Sequence, residues 1–232
     1  MSEEKLLLVD GSSYLYRAFY ALPNLKTSNG LNSGAIHGFT NMLNRVISEY
    51  EPKYLLMVFD AKGKNFRHDI YDAYKANRNS MPSELAEQTG PIIDLVEAYG
   101  IRVIQEKGVE ADDVIASVTK QIKIKNTRTI ISSGDKDLAQ LVSNEVVLIN
   151  NFDSKVLDNK GVIEKFGVNP NQIFDYLCLV GDTSDNIPGV PKVGPKTAAT
   201  LLGKYKNLDN VISHSHELKG KLKENIESST DT

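Results

Sequence analysis

The chain has 232 residues, 41% of them hydrophobic and 25% charged, with a formal net charge of −3. That is the composition of a soluble globular protein with one large domain or two small ones and a sizeable core. No apolar run approaches the roughly 20 residues that cross a bilayer, Met1–Lys5 lacks the basic start of a signal peptide, and a single cysteine, Cys178, excludes an internal disulfide and suits a reducing compartment.

Strands are expected near 5–10, 54–60, 101–105, 128–134 and 146–150, where short aliphatic and β-branched runs such as Leu6-Leu7-Leu8-Val9 read as buried parallel strands. Helices are expected between them, at about 13–20, 34–49, 83–99, 110–125 and 136–142. Ser33-Gly34 and Pro82-Ser83-Glu84 supply helix-start signals. The alternation predicts an α/β fold, a mostly parallel twisted sheet with helices on both faces. Residues 61–81 interrupt it with a long connection carrying Lys62, Lys64, Arg67, His68, Lys75 and Arg78, with Tyr71 and Tyr74 between them. Loops of that length in a compact domain are usually functional or disordered. From about 155 the character changes to short helices, near 171–181 and 197–205, so the expected division is 1–155 and 156–232. Cys178, in Tyr176-Leu177-Cys178-Leu179-Val180, reads as a core residue.

Nine acids stand at the ends of apolar runs or at helical spacing: Asp10, Asp60, Glu110, Asp112, Asp113, Asp135, Asp137, Asp182 and Asp185. Each alone has a plain structural explanation as a helix cap, a first-turn acid or a polar turn. Asp135 and Asp137 follow a strand, where residues two apart point the same way. Jointly the acids point to one site, because strand ends in open parallel sheets are where ligands bind. Like charges gathered there raise one another's pKa unless hard cations hold them. His37, His68, His214 and His216 form no zinc pattern with cysteine, so the donor set favours Mg²⁺ or Mn²⁺. Two such ions activate water and stabilise a leaving oxygen in phosphodiester hydrolysis. The acidic net charge is then weak evidence against a nucleic-acid partner, since the remaining surface is net basic.

A second motif, Gly189-Val190-Pro191-Lys192-Val193-Gly194, lies between two expected helices. The two glycines permit a tight turn, and N–H groups at the next helix start can meet a phosphate. Lys192, Lys196, Lys204 and Lys206 add attraction, and no acid occurs from Ile187 to Tyr205. This is a helix-hairpin-helix signal, spanning 187–198, that would hold a duplex without reading its sequence.

With these motifs in place, the chain resembles the 5′ nuclease (flap endonuclease-like) family, in the branch that includes the 5′→3′ exonuclease domain of bacterial DNA polymerase I. The likeness rests on Leu8-Val9-Asp10-Gly11-Ser12, Val58-Phe59-Asp60, Gly108-Val109-Glu110-Ala111-Asp112-Asp113, Gly134-Asp135-Lys136-Asp137 and Gly181-Asp182-Thr183-Ser184-Asp185-Asn186-Ile187-Pro188-Gly189-Val190, and covers about residues 5–208. It implies a PIN-like fold, a helical arch at 61–81, and hydrolysis of DNA at 5′ flaps, nicks and ends. It also implies a bacterial cytoplasmic, nucleoid-associated protein, with a C-terminal polymerase domain in one parent chain and a free-standing form both left open; a monomer is expected because each part of the substrate already has a candidate surface. By resemblance, Asp10, Asp60, Glu110 and Asp112 hold a first ion, Asp135, Asp137, Asp182 and Asp185 a second, and Asp112 bridges. Asp113 supports them, and Lys75 and Arg78 act at the scissile phosphate. DNA contacts are implied for Arg17, Arg67, Tyr74 (stacking on a base), Gly189, Lys192, Gly194, Lys196 and Thr197. Carbonyls at Val190 and Val193 are implied ligands of K⁺. The family's nuclease domain continues past the position of Thr232, so the likeness implies a chain short at that end. Three other readings stay open on the residues: a PIN-like ribonuclease, a DNA-binding module with weak or no catalysis, and an aspartyl phosphatase built on Asp10, though Ser12 stands where a second Asp is wanted.

Overall fold

The computed structural model describes residues 3–22, 25–122, 124, 126–151, 153 and 155–229. Its first half alternates as expected: β1 (Glu4–Asp10), α1 (Gly11–Ala21), α2 (Gly34–Tyr50), β2 (Tyr54–Val58), α3 (Phe66–Ile70), α4 (Ser83–Ala98), β3 (Arg102–Ile104), α5 (Ala111–Gln121), β4 (Thr127–Ser133) and β5 (Val146–Asn150). β6 (Val156–Leu157) and α6 (Asn159–Phe166) follow, then α7 (Ile173–Val180), β7 (Gly181–Asp182), β8 (Ile187–Pro188), α8 (Pro195–Tyr205), α9 (Leu208–Ser213) and α10 (Gly220–Ser228). The helix expected over 136–142 is instead a 3-10 turn at Asp137–Leu141. That expected over 110–125 ends at Gln121, and Lys123 and Lys125 lie outside the described residues.

The sheet order is β3-β2-β1-β4-β5-β6, parallel except for β6, which pairs antiparallel with β5. β1 runs down the middle, with Leu7 beside Leu55 on one side and Ile130 on the other. The chain builds outward from β1 to β2 and β3, then returns to place β4 on the far side of β1. That reversal opens a crevice at the carboxyl ends of β1 and β4.

Alternation along each strand splits the core in two. Leu7, Val9, Met57 and Ile130 pack under α1, α2 and α4 with Phe39, Leu43, Leu85 and Ile92. Leu6, Leu8, Val58 and Ile131 face α5 and the later helices. Leu8 is fully buried, so Leu8→Ala would cost ~2–5 kcal/mol through lost contact and cavity formation. Ser33 makes no side-chain cap for α2; buried Gln88 of α4 accepts from Ala35 and Ile36 N–H at 2.9 and 3.2 Å instead.

The expected division near 155 is not a break in packing. Leu201, Val211 and Ile226 of the helical part share one apolar cluster with Leu6, Leu8 and Leu148 of the sheet. β6 extends the sheet beyond that point, and α10 adds buried Ile226 to the same packing. Cys178 is another correction: it is half-buried, on the wall of a cavity, and burial pushes its thiol pKa up.

Candidate active site at the carboxyl edge of the sheet

Strand ends deliver the first acids. Asp10 closes β1 and caps α1, accepting from Ser13 N–H at 2.9 Å and from Ser133 Oγ at 2.6 Å. Asp60 lies just past β2; its Oδ1 accepts from Ala111 N–H at 2.8 Å, and its own N–H donates to Ser12 Oγ at 2.9 Å. Asp135 follows β4, donating its N–H to Ser133 Oγ at 3.0 Å. Ser133 thus links Asp10 to Asp135 across the central strand pair.

The first turn of α5 delivers the next group. Glu110 caps the helix with Asp113 returning to its N–H at 2.9 Å, so the plain capping explanation holds for these two as well. Asp113 also takes both ends of the Arg67 guanidinium, at 2.7 and 2.8 Å. Glu110 receives Asn65 Nδ2 and Lys75 Nζ on one oxygen, both at 2.6 Å, and the Tyr74 hydroxyl on the other at 3.0 Å.

The last acids lie on the turn between β7 and β8. Asp182 accepts from Ser184 N–H and Oγ at 2.8 and 2.6 Å and pairs with Lys136 at 3.1 Å. Asp185 receives the Tyr74 hydroxyl at 2.8 Å and Arg78 Nη2 at 2.5 Å, with Lys75 Nζ at 3.7 Å.

Two neighbouring cavities divide these side chains. The larger, about 690 Å³, is lined by Asp10, Asp60 and Asp135, with Lys75, Arg78, Tyr16 and Arg17. The smaller, about 350 Å³, is lined by Asp113, Asp137, Asp182 and Asp185, with Arg67, Tyr74 and Lys120. Glu110 and Asp112 line both. Asp135, which the resemblance groups with the second set, opens on the first cavity, while the charges of Asp185 and Asp182 in the second also act on it. The expectation that Asp135 and Asp137 point alike is also corrected. Asp137 opens the 3-10 turn, with its N–H on Asp135 Oδ1 at 2.8 Å, and the turn sends the two carboxylates to different cavities.

Burial drives the electrostatics. It pushes Asp10 up to about 6, with Asp60 and Asp135 adding repulsion against the bonds from Ser13 and Ser133. It pushes Asp137 up to about 7, helped by Asp135 and Asp182. Asp112 rises by burial and then by the charges of Asp135, Asp10, Asp60 and Glu110, and Asp135 rises by burial too. Asp113 is lowered, first by Arg67. Asp182 is lowered overall: burial acts upward on it, and the bonds from Ser184 and Lys136 outweigh that.

Among the described residues, no group of three or more His, Cys, Asp or Glu is arranged to hold a metal ion as it stands. Three of the acids are engaged in ion pairs, Glu110 with Lys75, Asp185 with Arg78 and Asp182 with Lys136. The donor set still fits a hard divalent cation. It is all carboxylate, Asp137 Oδ1 is buried without a hydrogen-bond partner, and Asp10 and Asp137 are held above their ordinary range by burial and then by neighbouring acids, both of which a cation would offset.

Other expected residues fall in varied surroundings. Tyr74 is 4% exposed, so a freely presented stacking ring is not what the structure offers; the ring is enclosed because its hydroxyl reaches in to two carboxylates. Arg67 is occupied by Asp113 rather than held out toward a strand. Arg17 and Arg78 line the larger cavity. In the hairpin, Gly194 has open space and begins α8 with extended backbone. Gly189 is required for another reason: a Cβ there would collide with the backbone of Val180 and Gly181. The left-handed residue of the turn is Lys192 (φ 63°). Lys196 and Thr197 lie in the first turn of α8, and the Val190 carbonyl accepts Val193 N–H at 3.0 Å. Sequence reasoning missed Ser12, Ser133, Asn65 and Lys136, though polar residues crowded at strand ends were a usable signal. It also missed Tyr16, four residues before Tyr20 on α1, both lining the larger cavity.

Parallel strands with acids at their carboxyl ends, a cationic segment beside them and a helical hairpin define a nuclease-type α/β protein. Residues 5–167 match the 5′-3′ exonuclease N-terminal resolvase-like domain, and residues 168–232 the 5′-3′ exonuclease C-terminal SAM fold. The chain belongs to the 5′-3′ exonuclease family. It is 45% identical to a 5′-3′ exonuclease of Aquifex aeolicus, over 90% of this chain and 72% of that one. It is 47% identical to DNA polymerase I of Pseudomonas aeruginosa over 98% of this chain, spanning only 26% of that longer protein. Among solved structures, the zinc-bound T5 5′-exonuclease superposes with a TM-score of 0.82 at 21% identity, covering 98% of this chain and 86% of that one. The catalytic core of Rad2 with DNA superposes at 0.60 and 18%, covering 98% and 72%. These two likenesses establish the PIN-like fold. Among the described residues no helix is long and apolar enough to cross a membrane.

Proposed function

We propose that this chain is a divalent-metal-dependent, structure-specific 5′ nuclease that hydrolyses DNA phosphodiesters at 5′ flaps, nicks and ends. The single observation that carries this is the pair of adjoining acidic cavities that share Glu110 and Asp112, with Lys75 and Arg78 lining the larger. Asp10, Asp60, Glu110, Asp112 and Asp135 would hold one ion, and Asp137, Asp182 and Asp185, with Glu110 and Asp112 between, a second. Mg²⁺ or Mn²⁺ suits these hard oxygen donors and supplies, when bound, an activated water and charge stabilisation at the leaving oxygen. Lys75 and Arg78 are placed to meet the developing negative charge. Asp113 fixes Arg67 and the start of α5, so its role is positioning. Tyr16 and Arg17 offer the substrate an aromatic face and a cation beside the acids. Lys192, Lys196, Thr197 and the amides at the start of α8 hold the duplex by its phosphates. Val190 and Val193 carbonyls are the proposed seat of K⁺, one lone pair of Val190 being taken by Val193 N–H.

A monomer in the cytoplasm is the proposed working form. A polymerase domain, within one parent chain or apart, is the proposed functional neighbour, because the same segment aligns with the polymerase-named relative. The test is cleavage of a 5′-labelled DNA flap duplex beside its RNA-flap and blunt-ended counterparts, in Mg²⁺ and in EDTA. Metal-dependent cleavage near the DNA junction is expected. Preferential cutting of the RNA strand would favour the ribonuclease reading, and binding without cleavage the DNA-binding module.

A further inference from the structure

Tyr74 is the most deeply enclosed side chain of the 61–81 segment that reaches the acids. Its hydroxyl lies 3.0 Å from Glu110 Oε2 and 2.8 Å from Asp185 Oδ2. Glu110 belongs to both cavities and Asp185 to the smaller, so one phenol joins two parts of the site that are far apart in sequence. A phenol has one proton and can donate to one carboxylate at a time. Two cations complete the contacts: Lys75 Nζ lies 2.6 Å from Glu110, 3.7 Å from Asp185 and 4.9 Å over the Tyr74 ring, and Arg78 Nη2 lies 2.5 Å from Asp185.

The backbone around this pair is stitched to the same turn. Lys75 N–H donates to Asp185 O at 2.9 Å, Asn186 Nδ2 to Ala73 O at 2.7 Å, Asn77 Nδ2 to Thr183 O at 2.7 Å and Arg78 Nε to Ser184 O at 3.1 Å. Lys75 and Asn186 both adopt positive φ, 53° and 59°, conformations that L residues keep only when their surroundings hold them. Residues 73–78 and 183–186 therefore form one clasp, with Tyr74 as its buried pin.

We propose that Tyr74 is a positioning residue whose hydroxyl, not its ring face, sets Glu110 and Asp185 for divalent-metal binding. The inference rests on the metal-dependent reading of the site. It assigns Tyr74 to the metal side of the reaction and not to stacking on the substrate. A ring that stacks would work equally well as phenylalanine, whereas a hydroxyl that orients two carboxylates would not.

The experiment is Mn²⁺ titration of DNA-free protein by calorimetry for wild type, Tyr74→Phe and the exposed control Tyr71→Phe, with melting temperature in EDTA and metal-dependent flap cleavage alongside. Tyr74→Phe should weaken Mn²⁺ binding about tenfold, as expected for a hydrogen bond to a charged group. The metal concentration for half-maximal cleavage should rise in step, with melting within a few degrees of wild type and Tyr71→Phe unchanged. Wild-type Mn²⁺ affinity in Tyr74→Phe would overturn the proposal, whatever the cleavage rate. If wild type binds Mn²⁺ but cuts no flap, the nuclease reading fails instead. Should Tyr74→Phe not fold, the wild-type hydroxyl proton is followed by NMR. A slowly exchanging Tyr74 resonance that shifts with Mg²⁺ is expected, and a rapidly exchanging one, or one indifferent to Mg²⁺, would overturn the proposal.

Discussion

The two halves of the acidic site are built by different means. Asp10, Asp60 and Asp135 stand at or just past the ends of β1, β2 and β4, where register with neighbouring strands sets the backbone and hydrogen bonds with Ser12, Ser13 and Ser133 hold the three acids in place. Asp182 and Asp185 ride on a short turn, Asp182 held by Ser184 of the turn and by Lys136, Asp185 by Tyr74, Lys75 and Arg78 from the 61–81 segment. The first half is a consequence of the sheet. The second depends on a cationic clasp and should yield to single substitutions. Asp112 and Glu110 join the halves, and a change that disturbs them should disturb both.

The largest effect should come from that junction. Asp112→Asn removes a shared carboxylate and is expected to cut single-turnover cleavage by roughly 10³-fold or more while leaving the fold intact, since crowding is reduced. Lys75→Ala should come next. A loss of about 10²-fold in cleavage, with flap-duplex affinity nearly unchanged, would separate charge stabilisation from anchoring; equal losses in both would reassign Lys75 to anchoring.

Acidity offers a third test. Asp10 and Asp137 are raised to about 6 and about 7 in the folded state, from an ordinary value of 3.8. Between those values the folded protein binds more protons than the unfolded chain, so stability falls as pH rises through that window. Raising a carboxyl pKa by one costs the ionised form about 1.4 kcal/mol. In EDTA the melting temperature should therefore drop from about pH 5 to about pH 7.5, and millimolar Mg²⁺ should flatten the drop and raise melting at the upper end. The lowered acids, Asp113 and Asp182, act below 3.8 and do not offset this trend. A melting temperature that rises over this range, or ignores Mg²⁺, would contradict the burial and mutual repulsion assigned to Asp10 and Asp137.

Changes outside the clasp and the shared acids give smaller effects. Arg67→Ala breaks a two-pronged, partly exposed pair with Asp113 and should cost about 1 kcal/mol, roughly 2–4 °C in melting. Smallest of all, Lys192→Gly removes one cation from a left-handed position. The slope of log affinity for duplex against log salt should fall by about one, with folding stability unchanged or slightly improved.

Legibility in the sequence follows the same divide. The strand at 146–150 and the helices at 34–49 and 83–99 were readable because their apolar residues recur at the period of the element, although neither Ser33 nor Pro82 makes a side-chain cap. Asp10, Asp60 and Asp135 were readable because a polar residue directly after an apolar strand has few reasons to be there. The division of acids between cavities was not, because Asp137 turns away through a 3-10 turn that resembles a helix start in sequence. The burial of Tyr74 was equally hidden, since its partners Glu110 and Asp185 lie 36 and 111 residues away and no local pattern encodes them. Gly189 was recognised as necessary, but its reason is contact with the Val180–Gly181 backbone, which only the folded chain reveals.

The central claim is that Asp112 belongs to one metal-dependent hydrolytic site made from both halves. Single-turnover cleavage of a 5′-labelled DNA flap, wild type beside Asp112→Asn at equal Mg²⁺ and equal DNA occupancy, tests it most directly. The expected result is junction cleavage by the wild type and none by the variant, with DNA affinity preserved. Cleavage by Asp112→Asn at the wild-type rate would contradict the shared site.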